Sequence, residues 1–335
     1  MSAPSMSVKD LEDIAHVLRR DSIMMTTAAG SGHPTSCLSC AELMSVLYFD
    51  EMKYDVHNSH NPSNDECVLS KGHSAPILYS CLFRAGCIHT HLKTLRDFKS
   101  PLEGHPVPSS LDWVKVATGS LGQGLSVGVG MALAAKLQKR DFRVYVLMGD
   151  SEIAEGSVYE ALQLAHHYKL DNLVAIVDIN RLGQRGETMQ GHDIASYQKR
   201  FAGFGWHVMS VDGHNVKAIQ KAFKEARHSK NVPTVILAKT MKGKGVRFLE
   251  NKDNWHGKAL NEEEMKQAFS EIPDVVMPNV SIASPPKVHA PRRHAKKVSF
   301  TSYKKNDVIA TRQAYGNALA KLAQSDSLVL ALDAE

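Results

Sequence analysis

The chain has 335 residues, a formal net charge of +5, five cysteines and ordinary soluble shares of apolar (43%) and charged (22%) residues, which is long enough for about two domains and a sizeable core. Its opening stretch, MSAPSMSVKDLEDIAHVLRR, contains acidic residues and no continuous apolar run; this excludes a secretory signal or membrane span there and makes the cytoplasm the default location, with no membrane partner. Seven Lys or Arg against one Asp within 272–305 account for the positive balance, and without interleaved aromatics that charge describes a solvated segment rather than a nucleic-acid surface.

Residues 8–28 repeat apolar positions at helical spacing (Val8, Leu11, Ile14, Val17, Leu18) and predict an amphipathic first helix. The run GSGHP at 30–34 stops it, and a second helix is expected over 37–49. Cys37 and Cys40 have CxxC spacing inside that apolar helix, with no second pair at zinc-like distance, so they read as buried free thiols. Cys67, Val68 and Leu69 are strand-like and lead to Gly72-His73; Gly104-His105 follows in an irregular loop. Together with Gly32-His33 these make three glycine-histidine corners where a ligand can come close. Gly191-His192 and Gly213-His214 carry the same dipeptide, so the dipeptide alone does not separate function from turn chemistry. Thr118, Gly119, Ser120, Leu121, Gly122, Gln123 and Gly124 then open a small-residue helix to about Leu137, whose body reads as close helix packing.

The central stretch carries the strongest pattern. Tyr145, Val146, Leu147 and Met148 form a short apolar run that halts at Gly149 and Asp150; a helix is expected over 153–169, and a β-branched run over 173–179 ends at Asn180. Two strands joined by one helix make a parallel βαβ unit, so Asp150 and Asn180 fall where neighbouring strands end, the edge at which open α/β sheets bind ligands. They offer two hard oxygens to one cation, as magnesium prefers, while Gly149 and free N–H groups near the next helix start favour an anion. A diphosphate on a divalent metal is the inferred ligand; the competing reading makes Asp150 an ordinary helix cap.

A helix at 194–203, a strand at 206–211, a helix at 215–228 and a strand at 234–238 continue the alternation. The expected fold is therefore α/β, a doubly wound, mostly parallel sheet with helices on both faces. Lys239, Lys242 and Lys244 surround Gly243 and Gly245 just past the last strand, with His256 further along the same edge. Five of the thirteen prolines lie in 272–305, which reads as a linker between a domain at 1–271 and an incomplete second α/β domain at 306–335. In the latter Asp307 is expected to cap a helix to about Gln324, and Leu328 to Leu332 to form a strand. A chain stopping one strand into a domain suggests truncation more than a split subunit.

GDSEIAEGSVYEAL at 149–162, thirty residues from Asp150 to Asn180, then NRLGQ, resembles the thiamine diphosphate motif of the transketolases. So do GSGHPTS at 30–36, LSKGHSAPILY at 69–79, GHPV at 104–107, ATGSLGQGL at 117–125, AKTMKGKG at 238–245 and NWHGKAL at 254–260. The resemblance runs over about 10–260 and resumes with IATRQAYGNALAKL at 309–322. It implies transfer of a two-carbon ketol unit between sugar phosphates, from xylulose 5-phosphate to ribose 5-phosphate, with thiamine diphosphate carrying the hard chemistry on Mg2+ (or Ca2+ or Mn2+). By the same resemblance Asp150 and Asn180 bind metal through side chains and Leu182 through its carbonyl. His73, Gly119, Leu121, Gly149, Ser151, Asn180, Lys242 and His256 meet the cofactor; His33, Ser36, His256 and Arg312 meet substrate. His33, His73, His105 and His256 are the catalytic histidines. Glu155 corresponds to a buried acid that communicates between the two sites of a homodimer. Ser36, Gln184, Lys242 and Lys71 are the weaker members, since loop rigidity explains them nearly as well.

Two departures from the family pattern stand out. Ser151 follows the metal Asp where the family usually has Gly, which implies weaker or slightly shifted cofactor binding. The glutamate that protonates the aminopyrimidine lies, in the family, beyond the equivalent of residue 335, in a pyrimidine domain that a partner subunit or second chain would supply. The rival functions are a noncatalytic cofactor-binding or assembly subunit and, among enzymes, dihydroxyacetone synthase or deoxyxylulose phosphate synthase; the WHGKAL and GHPTS segments fit transketolase better than the last.

Overall fold

The computed structural model describes residues 6–287 and 296–332. Its elements in chain order begin with α1 (Val8–Ala28), α2 (Pro34–Ser39), α3 (Ala41–Val46), β1 (Glu66–Leu69) and α4 (Ala75–Arg84). There follow α5 (Gln123–Leu137), β2 (Val144–Gly149), α6 (Gly156–His167), β3 (Leu173–Ile179), α7 (Ile194–Gly203), β4 (His207–Asp212), α8 (Val216–Ala226), β5 (Thr234–Lys239), α9 (Glu262–Glu271) and α10 (Thr311–Ser325). The five strands lie in the order β1-β2-β3-β5-β4, and every pairing is parallel.

Alternation along these strands builds two cores. Successive side chains point to opposite faces: Tyr145, Leu147, Val174, Ile176 and Ile236 join α1, α3, α4 and α8 on one side. Val144, Val146, Leu173, Ala175, Val177 and Val235 join α5, α6 and α7 on the other. Because β3 is covered on both faces, all seven of its residues are buried. Edge strand β4 is only partly so. The expected doubly wound sheet with helices on both faces is what these residues form.

Two helices start or run differently from their apolar pattern. The segment expected as one helix over 37–49 bends at Cys40 (φ −106°, ψ 17°) and finishes in a π turn, Leu47–Glu51. Ser39 accounts for the break, since its hydroxyl donates to the Ser36 carbonyl and to Asp178 across the fold, and hydroxyls bound to nearby backbone compete with helix hydrogen bonding. The helix expected from Ile153 begins as a 3-10 turn, Ser151–Ala154, and becomes α-helical only at Gly156.

The chain divides into units Met1–Val288 and His289–Glu335, a division that falls inside the proline-rich segment. Residues 272–287 hold no helix, and the Tyr54 N–H donates to the Ala283 carbonyl at 3.0 Å within the first unit; residues 288–295, with two of the expected basic residues, lie outside the described ones. Among the described residues of the second unit there is one helix, α10, and no strand. The strand expected over Leu328–Leu332 is not formed, because no neighbouring strand is present there to complete its hydrogen bonds. Asp307 does not cap α10 either: Ala310 holds the N-cap position, and the Asp307 carboxylate accepts the Lys304 N–H instead.

Candidate functional site

Register fixes the heart of the site. Gly149, the last residue of β2, pairs with Asp178 of β3, so Asp150 and Asn180 emerge side by side at the carboxyl edge of the sheet. Both are 5% exposed. With Leu182 they line one cavity of about 510 Å³, together with His33, Ser36, Lys71, His73, His105, Gly119, Leu121, Gly149, Ser151, Glu152, Glu155, Gln184, Lys242 and His256. Every site residue expected from the sequence within the first unit lines it. Arg312 is exposed on α10 in the second unit.

The four histidines come from four separate loops. His33 stands at the N-cap position of α2, His73 in the 3-10 turn after β1, His105 in the irregular loop before α5, and His256 beyond β5. Ring centroids lie 5.0 Å apart for His33 and His73, 4.9 Å for His33 and His256, 5.2 Å for His73 and His256, and 6.4 Å for His33 and His105. Glycine permits this crowding at two points. A Cβ on Gly72 would come within 2.6 Å of the Thr118 carbonyl carbon, and one on Gly119, at φ +140°, would meet His105 Cδ2 at 2.7 Å. His192 and His214, whose glycine-histidine dipeptides looked the same, are not among the residues lining this cavity; His192 is within 3.0 Å of the Thr240 carbonyl, and His214 pairs with Glu42.

Burial keeps the imidazoles neutral. It pushes His33 down to about 4, helped by the charges of His105, Arg96, Lys242 and Lys71. His256 is pushed down to about 3 by burial and then by Lys242 and His33; His73 and His105 also move down, burial again coming first. The Lys242 ammonium, itself brought down to about 8 by burial and Lys71, donates to the Leu182 carbonyl at 2.7 Å and lies 2.9 Å from His256 Nδ1. Asp150 moves the other way: burial, then the charge of Asp178, raises its carboxyl to about 7 despite N–H donors from Arg181 and Ser151.

Two buried acids of this region were not singled out in the sequence. Glu152, 0% exposed, accepts the Ser70 hydroxyl and the N–H groups of Gly122 at 2.8 Å and Gly149 at 3.1 Å, so it ties the glycine loop before α5 to the end of β2. Asp178, also 0% exposed, pairs with the buried ammonium of Lys71 and accepts from Ser39, Thr240 and Asn180. Burial opposes charge on Asp178, but Lys71 and the hydroxyls outweigh it and hold the carboxyl below its ordinary value. A lone Asp in the otherwise apolar run LVAIVDI was the available signal for it.

One expectation meets a different arrangement. Glu155, expected as a buried acid, is exposed in the single chain, where it occupies the N-cap position of α6 with its Cβ against Gly122; Glu152 is the buried acid of that turn. Ser151 lines the cavity with its hydroxyl close to the Leu182–Gly183 turn, 3.2 Å from where a Cβ on Gly183 would stand.

No cluster of three or more His, Cys, Asp or Glu suited to a metal occurs among the described residues. The metal set expected here has a single carboxylate, so phosphate or water oxygens must complete it. The surroundings fit a cation: Asp150 is a desolvated carboxylate near a second one, and the Lys242 ammonium already stands on the Leu182 carbonyl as a positive charge. The five cysteines are free; Cys37, Cys40 and Cys81 are buried. Among the described residues no helix is long and apolar enough to cross a membrane.

Comparison with known proteins bears on the same residues. A family profile described as "Transketolase, thiamine diphosphate binding domain" matches residues 10–320. The human protein named "Transketolase" is 50% identical over 331 residues, covering 97% of this chain and 52% of its own length. "Transketolase-like protein 1" of Bos taurus is 40% identical, covering 99% and 50%. The chain thus spans about half the length of the curated relatives it matches. Among solved structures, a transketolase from Campylobacter jejuni superimposes with a TM-score of 0.80 at 30% identity, covering 96% of this chain and 56% of that one. A Pichia stipitis transketolase in complex with sedoheptulose 7-phosphate gives 0.72 at 31%, covering 79% and 40%.

Proposed function

The chain belongs to the transketolase family through its thiamine diphosphate-binding domain, and on that premise we propose that it provides the diphosphate-binding half of a transketolase. The reaction is transfer of a two-carbon ketol unit from xylulose 5-phosphate to ribose 5-phosphate. The observation that carries this reading is the pair Asp150 and Asn180 at adjacent parallel strand ends, lining one cavity with four histidines.

In this reading Asp150, Asn180 and the Leu182 carbonyl hold Mg2+, which Ca2+ or Mn2+ can replace, since all three ligands are hard oxygens. His73, Gly119, Leu121, Gly149, Ser151, Lys242 and His256 surround the diphosphate and thiazolium. When bound, thiamine diphosphate supplies a carbon nucleophile and an electron sink. The protein's part is to place protons and charges. Because burial keeps His33 and His256 neutral at pH 7, they accept protons or hydrogen bonds from sugar hydroxyls rather than presenting fixed cations; His105 serves the same face, and Ser36 lies beside them. A positioned base of this kind is worth roughly 10²–10⁴ in rate. Arg312 is the bidentate donor for a sugar phosphate.

In this reading turnover requires a complete pyrimidine domain beside the diphosphate-binding one, and the enzyme works as a homodimer or with a second chain. The test is a coupled assay for ketol transfer with the chain alone and mixed with a transketolase pyrimidine domain. Activity only in the mixture is expected. Magnesium-dependent cofactor binding without transfer in either case points to a binding or assembly subunit, and turnover by residues 1–335 alone refutes the need for the complete pyrimidine domain.

A further inference from the structure

Asp178 and Asn180 are two positions apart at the end of β3 and therefore share one side of the strand. The Asn180 amide nitrogen donates to Asp178 Oδ2 at 3.1 Å. That oxygen also accepts Ser39 Oγ at 2.6 Å and the Lys71 ammonium, while Oδ1 accepts the Thr240 hydroxyl. Both Asp178 oxygens are thus engaged, and the residue is 0% exposed, so it is not itself a ligand for anything in the cavity.

We infer that Asp178 is a positioning residue that makes Asn180 a metal ligand by fixing which end of its amide faces the cavity, an inference resting on the metal reading above. The two ends of an amide have nearly the same shape, and only hydrogen bonding decides between them. With Ser39, Lys71 and Thr240 all donating to it, the Asp178 carboxyl group acts as an acceptor and admits only the orientation with Nδ2 inward. Asn180 Oδ1 is left with one long contact, the Leu182 N–H at 3.3 Å, and keeps electron pairs for a cation. The reversed amide would present two N–H donors to the metal. Lys71 completes the arrangement: its ammonium donates to Asp178 and to the Ser36 carbonyl, the latter at 2.9 Å, which fastens β3 to the start of α2.

The probe is Mn2+ followed by electron paramagnetic resonance, titrated onto the full chain with thiamine diphosphate present. An amide at 178 can pair with either orientation of Asn180 only once Lys71, a pure donor to the same oxygen, is gone, so K71M/D178N is expected to weaken Mn2+ binding about 10–100-fold, as loss of a partner of a ligating group does. The double change removes both buried charges together, which spares the fold, and because they are opposite and paired their direct effects on Mn2+ offset, so a fall in affinity reports the amide. S39A removes a different donor from the same carboxylate. It is expected to lower the unfolding temperature while leaving Mn2+ affinity within about twofold, far less than the loss expected for K71M/D178N. Should K71M/D178N not fold, K71L/D178N makes the same change with a different apolar side chain in the space of Lys71. Wild-type affinity in whichever double variant folds overturns the inference and leaves the metal reading intact. A wild-type chain that takes up no Mn2+ overturns both.

Discussion

Acid should unfold this protein through its cavity, and His33 allows the size of the effect to be worked out. The ordinary value is 6.5 and burial with neighbouring charges brings it to about 4 in the fold. Between those values the unfolded chain binds a proton that the folded chain does not, so stability present above pH 6.5 is lost as pH falls through that window. At about 1.4 kcal/mol per unit the loss is roughly 3 kcal/mol, an upper value because His105 and other groups share the field. Asparagine suits the N-cap position that His33 occupies without a side-chain cap bond, and it cannot titrate. Urea denaturation followed by circular dichroism at pH 7 and at about pH 4 should therefore show H33N losing about 2–3 kcal/mol less than wild type. Comparing slopes cancels any constant gain from the better cap. Parallel losses in the two proteins would refute the account of His33 as a buried neutral imidazole.

Three further outcomes follow from the packing. G72A should lower the unfolding temperature by the equivalent of about 1–3 kcal/mol, because its Cβ meets the backbone of Thr118 and Gly119 as well as the Thr118 hydroxyl, and the backbone cannot swing aside; an unchanged melting curve counts against the close approach. Glu42 is bonded to Arg19 at 2.6 Å and to His214 at 3.0 Å inside the fold, so E42A should cost about 3–5 kcal/mol in urea denaturation by stranding a buried guanidinium. Burial pushes the Cys37 and Cys40 thiols up to about 11 and about 12, so neither should react with a disulfide reagent at neutral pH until the chain unfolds; rapid native labelling at either, located by mass spectrometry, would contradict their burial.

How much of this could be read from the residues depended on distance along the chain. Asp150 and Asn180 were legible because each ends an apolar run beside a recognisable break, and one helix between two strands permits little besides parallel neighbours. Glu152 and Asp178 were not. Their partners, Ser70 and Gly122 for one and Ser39, Lys71 and Thr240 for the other, come from up to 139 residues away, so the local pattern marks at most Asp178 as a lone acid in an apolar run and says nothing of what either acid binds. The bend at Cys40 belongs with them, since it follows from a serine hydroxyl reaching Asp178. The strand expected over Leu328–Leu332 failed for the complementary reason: an apolar run specifies a strand only where another strand receives it.

His33 and His256 face each other at 4.9 Å although more than two hundred residues of chain separate them. During synthesis, at about 5–20 residues per second, the first has to wait roughly 10–45 s for the second. Helix α1 and the early apolar helices meanwhile wait for most of the sheet that covers them, so an intermediate with exposed apolar flanks is built into the order of the elements.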